Sequence, residues 1–203
     1  MLPEREYQYF AADYLRRHVA RCSSGFLPVL RHLVSTVPWW DTVDVLAAHV
    51  AGPLVAADPE LRKDMDAWIE DDDLWIVRTA LLHQLRFKEA TDTGRLFGYC
   101  LRRAGHPDFF IRKAIGWCLR EYAKTDPQSV RGFVDGARGQ LSPLSVREAT
   151  KHLLRARGAP LPTPLPPAVN RSTGPRLSDM IGACSGTPFP QRSPQSRTRR
   201  RLP

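Results

Sequence analysis

The sequence has little of what organises a secreted, membrane-bound or metal-centred protein. Its four cysteines, Cys22, Cys100, Cys118 and Cys184, are scattered, with no CxxC pair and no accompanying histidine cluster. That argues against a disulfide framework and a zinc site, and it fits a reducing cytosol. No window approaches the roughly 18 apolar residues of a membrane-spanning helix. The opening MLPEREYQYF has no cationic lead followed by an apolar run, so no signal peptide is expected. No segment alternates apolar and polar residues in the manner of a strand. Lysine is scarce as well, five against 25 arginines, which reads as the bias of a GC-rich genome. The expectation is a soluble, all-α cytoplasmic protein with no cofactor and no metal.

What is present is enough apolar content, 42% of 203 residues, to bury a core, and a net charge of +9 with a pI near 9.9. The charge is uneven. Residues 159 to 203 hold seven arginines, ten prolines and a single acid, Asp179, which leaves the body with 23 basic against 20 acidic residues. An anionic partner of the body must therefore be met by local clustering of cations rather than by bulk excess. The segment 158–203, ending in RTRRRLP, has few large apolar residues and no periodicity, so disorder is predicted for it. Its arginines read either as added affinity for phosphate or as a solvated tail.

Residues 2–157 read as helix after helix. Tyr7, Phe10, Ala11, Tyr14, Leu15 and Val19 carry the three-and-four spacing of an amphipathic helix over 3–20, and a second runs over 26–37. A third, 39–51, is expected to close at Gly52-Pro53. Pro59 opens a fourth, and Asp71 to Asp73 cap a fifth over 74–88. A sixth spans 91–103, Asp108 caps the next, and Asp126-Pro127 start another. Ser145-Val-Arg-Glu148 has the form of a capping box before a last helix to Arg157. Helix pairs recur at roughly forty residues, the length of HEAT and armadillo units, although an irregular bundle fits the same periodicity.

The central stretch is FFIRKAIGWCLREYAK, Phe109 to Lys124, where Trp117 lies among Arg112, Lys113, Arg120 and Lys124. Three- and four-residue spacing places an indole and several cations on one side of a helix, suited to a polyanion. The same stretch also reads as a buried tryptophan with solvated flanks.

Five pieces in order carry a resemblance. They are LPEREYQ (Leu2 to Gln8), WWDTVD (Trp39 to Asp44), LWIVRTALLHQLRFK (Leu74 to Lys88), FFIRKAIGWCLREYAKTDP from Phe109, and LSPLSVREATKHL (Leu141 to Leu153). Together they resemble the AlkD-like DNA alkylation repair glycosylases, built from HEAT-like repeats. The resemblance implies a solenoid whose concave face grips duplex DNA, and release of N3- and N7-alkylated purines without base flipping. It places Asp44 as the catalytic carboxylate, with Trp40 and Trp117 packing against the sugar and backbone of the lesion. Arg78 is expected to hold a phosphate, and Arg86, Lys113, Arg120, Arg147 and Lys151 are candidate phosphate contacts or merely solvated charges. The protein would then sit on the nucleoid of a bacterial cytoplasm when bound to DNA.

Residue chemistry is compatible with these roles. Trp40 and Asp44 are four apart and share a helix face. A cationic base leaves readily, so what remains is to stabilise a sugar of oxocarbenium character with a fixed anion. Without the resemblance, Asp44 reads as an ordinary surface aspartate and the two tryptophans as core; His83 and His152 have no partner constellation and read as structural. The family has further helices before the LPEREYQ piece, one of them supplying an aromatic near the lesion. A shortened concave face, an open N-terminal core surface and self-association of an otherwise monomeric protein are therefore expected. Helical-repeat DNA binding without catalysis is the alternative.

Overall fold

In the computed structural model, residues 4–155 are described, and all their regular structure is helical. The helices are α1 (Arg5–His18), α2 (Leu27–Ser35), α3 (Trp40–Leu46), α4 (Gly52–Ala57), α5 (Arg62–Trp68), α6 (Leu74–Leu82), α7 (Thr93–Arg102), α8 (Phe109–Tyr122), α9 (Pro127–Gly136) and α10 (Pro143–Arg155). The expected disorder of the tail falls on residues outside those described.

Two layers result. Helices α1, α3, α6, α8 and α10 pack one on the next in an inner row, while α2, α5, α7 and α9 pack across them. The inner helices begin at Trp40, Leu74, Phe109 and Pro143, 34, 35 and 34 residues apart, so the architecture is a helical repeat with a shorter period than the forty expected. The pair lengths are set by short links and compact helices. Leu30, Met65, Ile69, Ile76, Leu82, Ile111, Ile115 and Leu119 lie between the layers, fully buried. Each such side chain contributes about 1.5–3 kcal/mol through removal from water.

Local chemistry explains most boundaries. Asp73, Asp108 and Asp126 accept hydrogen bonds from the backbone N–H of Trp75, Phe110 and Gln128, satisfying helix-start donors as expected. The third helix does not stop at Gly52-Pro53. A π-helical turn, Ala47–Ala51, widens the chain there, and the Gly52 N–H donates to the Ala47 carbonyl five residues back. The wider turn takes up a proline that an α-helix interior would reject, so α3 and α4 form one run. Glycine is required at position 52, because a Cβ there would stand 2.3 Å from the His83 carbonyl oxygen. At Gly116 the same test puts a Cβ 2.4 Å from Glu148 Cβ, which reports how closely α8 and α10 approach.

The capping box at Ser145 is also corrected. Ser142 is the capping side chain, its Oγ accepting from the Ser145 N–H at 3.0 Å. Ser145 lies buried one turn inside α10 and donates its hydroxyl to the Arg112 carbonyl at 2.8 Å. The helix starts earlier because Ser142-Pro143 supplies both a cap and a pre-set first residue.

Helix α1 is clasped to α3 at Asp41, whose carboxylate accepts from Arg5 Nη2 at 2.6 Å and from the Tyr9 hydroxyl at 2.7 Å. Its Tyr7, Phe10 and Tyr14 remain exposed. No helix among the described residues is long and apolar enough to cross a membrane.

Candidate functional site

The repeat brings one position of each inner helix into line. Asp44, Arg78, Lys113 and Arg147 are each the fifth residue of α3, α6, α8 and α10. Equivalent positions on stacked helices lie side by side, so these four side chains form a row across the inner layer.

The first two members pair. Arg78 Nε donates to Asp44 Oδ1 at 2.7 Å and Nη2 donates to Oδ2 at 2.8 Å, a two-pronged bond. Its remaining prong, Nη1, donates to the Phe110 carbonyl at 2.5 Å. The guanidinium also lies 5.9 Å from the Phe110 ring centroid. The arginine is the deeper partner: its side chain is 4% exposed, that of Asp44 11%. Each of the three Arg78 nitrogens thus bonds to a protein group behind the carboxylate, whereas the expectation had it reaching outward to a phosphate. Burial raises the Asp44 carboxyl above the ordinary aspartate range, while the bond and charge of Arg78 pull it back.

Aromatic side chains border this pair. Trp39, Trp75 and Phe110 form a triangle with centroids 5.1 to 6.1 Å apart, and Phe109 meets Phe110 edge-on at 5.6 Å. Trp39 occupies the place that Asp73, Asp108 and Ser142 hold in the other inner repeats, and it makes no side-chain cap. Replacing a capping residue forgoes about 1 kcal/mol, so an exposed indole stands here at a cost to the helix. The preceding Val37 has a φ of 49°, a strained backbone for a β-branched residue, at the entrance to the same segment. Trp40 is 47% exposed and lies one turn before Asp44 on the same face, as expected.

Trp117 lies on α8, half-buried against the core. On that helix Phe110, Lys113, Trp117 and Arg120 follow the three-and-four spacing of a single stripe. The stripe therefore begins beside Arg78 and runs toward α10. There Glu148, 3% exposed, gathers three cations: Lys113 at 2.8 Å and Lys151 at 2.7 Å on Oε1, and Arg120 on Oε2. Burial alone would push this carboxyl up, but the bonds and charges of Lys113 and Lys151 prevail and hold it at about 2. Arg86 and Arg147 are exposed and have no carboxylate partner among the described residues. His83 is buried at the C-terminal end of α6, where desolvation holds its imidazole down to about 4, and its ring meets the Ala80 carbonyl and the rings of Phe87 and Tyr99. Among the described residues no cluster of His, Cys, Asp or Glu is arranged to hold a metal ion.

The family model for "DNA alkylation repair enzyme" matches residues 2–153. The chain belongs to this family. A solved structure described as a predicted DNA alkylation repair enzyme from Enterococcus faecalis is similar to it, with 37% identity and a TM-score of 0.69, over 74% of this chain and 70% of that one. No curated protein matches. Membership in a DNA alkylation repair family gives the chain a role in DNA repair and makes DNA its partner.

The resemblance named Asp44, Arg78 and Trp40 but neither the cluster of Trp39, Trp75 and Phe110 nor the hub at Glu148. Trp39 had a local signal, since it breaks the run of polar caps. Glu148 had only Lys151 three residues on, because its other two partners come from α8.

Proposed function

We infer that the protein is a DNA glycosylase that hydrolyses the N-glycosidic bond of N3- and N7-alkylated purines in duplex DNA. The observation that carries this reading is the layered pair at the site, with the Arg78 guanidinium behind and the Asp44 carboxylate in front, beside exposed indoles. Such a pair holds a carboxylate ionised, fixed and partly shielded from water.

A purine alkylated at N3 or N7 is cationic and departs as a neutral base when the N-glycosidic bond breaks with its electron pair going to the base. The deoxyribose left behind has oxocarbenium character. Asp44 stabilises that positive charge, and the water oxygen it positions bonds to C1′ while the water's proton passes to solvent. Arg78 serves as a positioning residue rather than a phosphate ligand. Trp40 and Trp117, with Trp39 added, offer flat faces to sugar and backbone, and their electron-rich rings favour a cation. As the family resemblance implies, recognition rests on the backbone and on the lability of the lesion, without extrusion of the base.

The test is free-base release from duplex carrying 7-methylguanine, set against a duplex carrying an uncharged ethenoadenine. The reading expects release from the first and none from the second. Binding of both without release would leave a DNA-binding helical-repeat protein, and equal release would remove the role given to the cationic base.

A further inference from the structure

We propose that Glu148 gathers Lys113, Arg120 and Lys151 into a seat for a single phosphate of the DNA backbone. This rests on DNA as the partner, but not on the chemistry at Asp44.

Three observations converge. First, the charges do not balance: one carboxylate meets three cations, and among the described residues none of the three has a second carboxylate. Two positive charges therefore remain for an outside anion. Second, depth orders the cluster. Glu148 is 3% exposed, while the side chains of Arg120, Lys113 and Lys151 are 21%, 37% and 49% exposed, so an approaching group meets cations and not the carboxylate. Third, the geometry is convergent. The two ammonium groups lie 2.8 and 2.7 Å from one carboxylate oxygen and Arg120 takes the other, which gathers the three heads around a single carboxylate. Cations so clustered meet one phosphate together rather than three in succession.

The arrangement is built rather than incidental. The buried carboxylate sits where Gly116 lets α10 approach α8, and a Cβ at 116 would strike Glu148 Cβ at 2.4 Å. Lys113 also shares its row with Asp44 and Arg78, which puts the seat one repeat beyond the pair on the same inner layer. Glu148 acts as a positioning residue here: it pins long, flexible side chains that would otherwise lose rotamer freedom on binding.

The test is the salt dependence of binding to undamaged duplex, which involves no base release and so stands apart from the glycosylase reading. Each phosphate contact contributes about 0.9 to the slope of log K against log salt. The fourfold variant Lys113→Gln/Arg120→Gln/Lys151→Gln/Glu148→Gln leaves no unpaired buried charge and is expected to lower the slope by about 1. A slope lowered by about 3 would mean three separate phosphates, and an unchanged slope would mean no contact; either overturns the proposal. Should that variant melt below the assay temperature, Lys113→Gln/Lys151→Gln is the second measurement: weaker binding at fixed salt with a slope lowered by no more than about 1 supports the seat, while a slope lowered by about 2, or an affinity unchanged, overturns it.

Discussion

Two carboxylates on the inner row, the partly buried Asp44 and the buried Glu148, share a partner chemistry and differ in which partner lies deeper. At Asp44 the arginine is the deeper member, 4% exposed against 11%, so the carboxylate is the more accessible of the two. At Glu148 the carboxylate is the deeper member at 3%, and three cations cover it. Ion pairing alone therefore does not set the polarity of a surface; the order of burial does. One face is suited to a developing sugar cation, the other to a phosphate, and α8 links them, with its Phe110 carbonyl holding Arg78 and its Lys113 and Arg120 holding Glu148.

The contrast can be broken most severely from behind Asp44. Arg78→Met leaves a buried, uncompensated carboxylate, and urea unfolding should show a loss of about 3–5 kcal/mol. Adding Asp44→Asn should recover much of that loss, while an additive double variant would mean that the pair is not the source. On the other side, Gly116→Ala forces α8 and α10 apart, with an expected loss of about 1–3 kcal/mol and a weaker grip on DNA.

The two carboxylates should also titrate in opposite senses. Glu148 is held at about 2, below its unfolded value, so its contribution to stability is present above the ordinary glutamate range and is lost as pH falls toward 2. Melting curves of Glu148→Gln should be flatter than those of the parent in that acid window. Asp44 is raised above its ordinary value, chiefly by burial, so its ionisation opposes folding as pH rises through the folded pKa. Base release requires the ionised form, and its acid limb should lie above the ordinary aspartate range; a limb at or below that range would remove burial as a determinant. The smallest effect is expected at Arg147, exposed and in the same row: Arg147→Gln should change stability by less than about 0.5 kcal/mol while lowering the salt slope by about 1.

Local signals were legible in the sequence, and cross-helix ones were not. Asp73, Asp108 and Asp126 cap helices through bonds to residues two or three ahead, which a linear reading captures. Gly52-Pro53 carried the same kind of local signal and misled, because a π-turn can take up a proline that an α-helix cannot. Ser145 and Glu148 have capping-box spacing, yet close packing of α10 on α8 buries both and gives them partners on the other helix. The Asp44–Arg78 pair spans 34 positions in sequence, one repeat, and a period read as forty does not bring the two into register. The resemblance supplied both residues, but it gave Arg78 to a phosphate, whereas depth in the fold gives it to Asp44.

The accessible carboxylate is the centre of the account, and Asp44→Asn tests it with little change of shape, at a temperature where parent and variant are both folded, since the change leaves Arg78 without its charge partner. Single-turnover release of 7-methylguanine should fall by about 10² to 10³ at saturating protein, with affinity for the same duplex unchanged. An undiminished rate at equal occupancy would contradict the role given to Asp44.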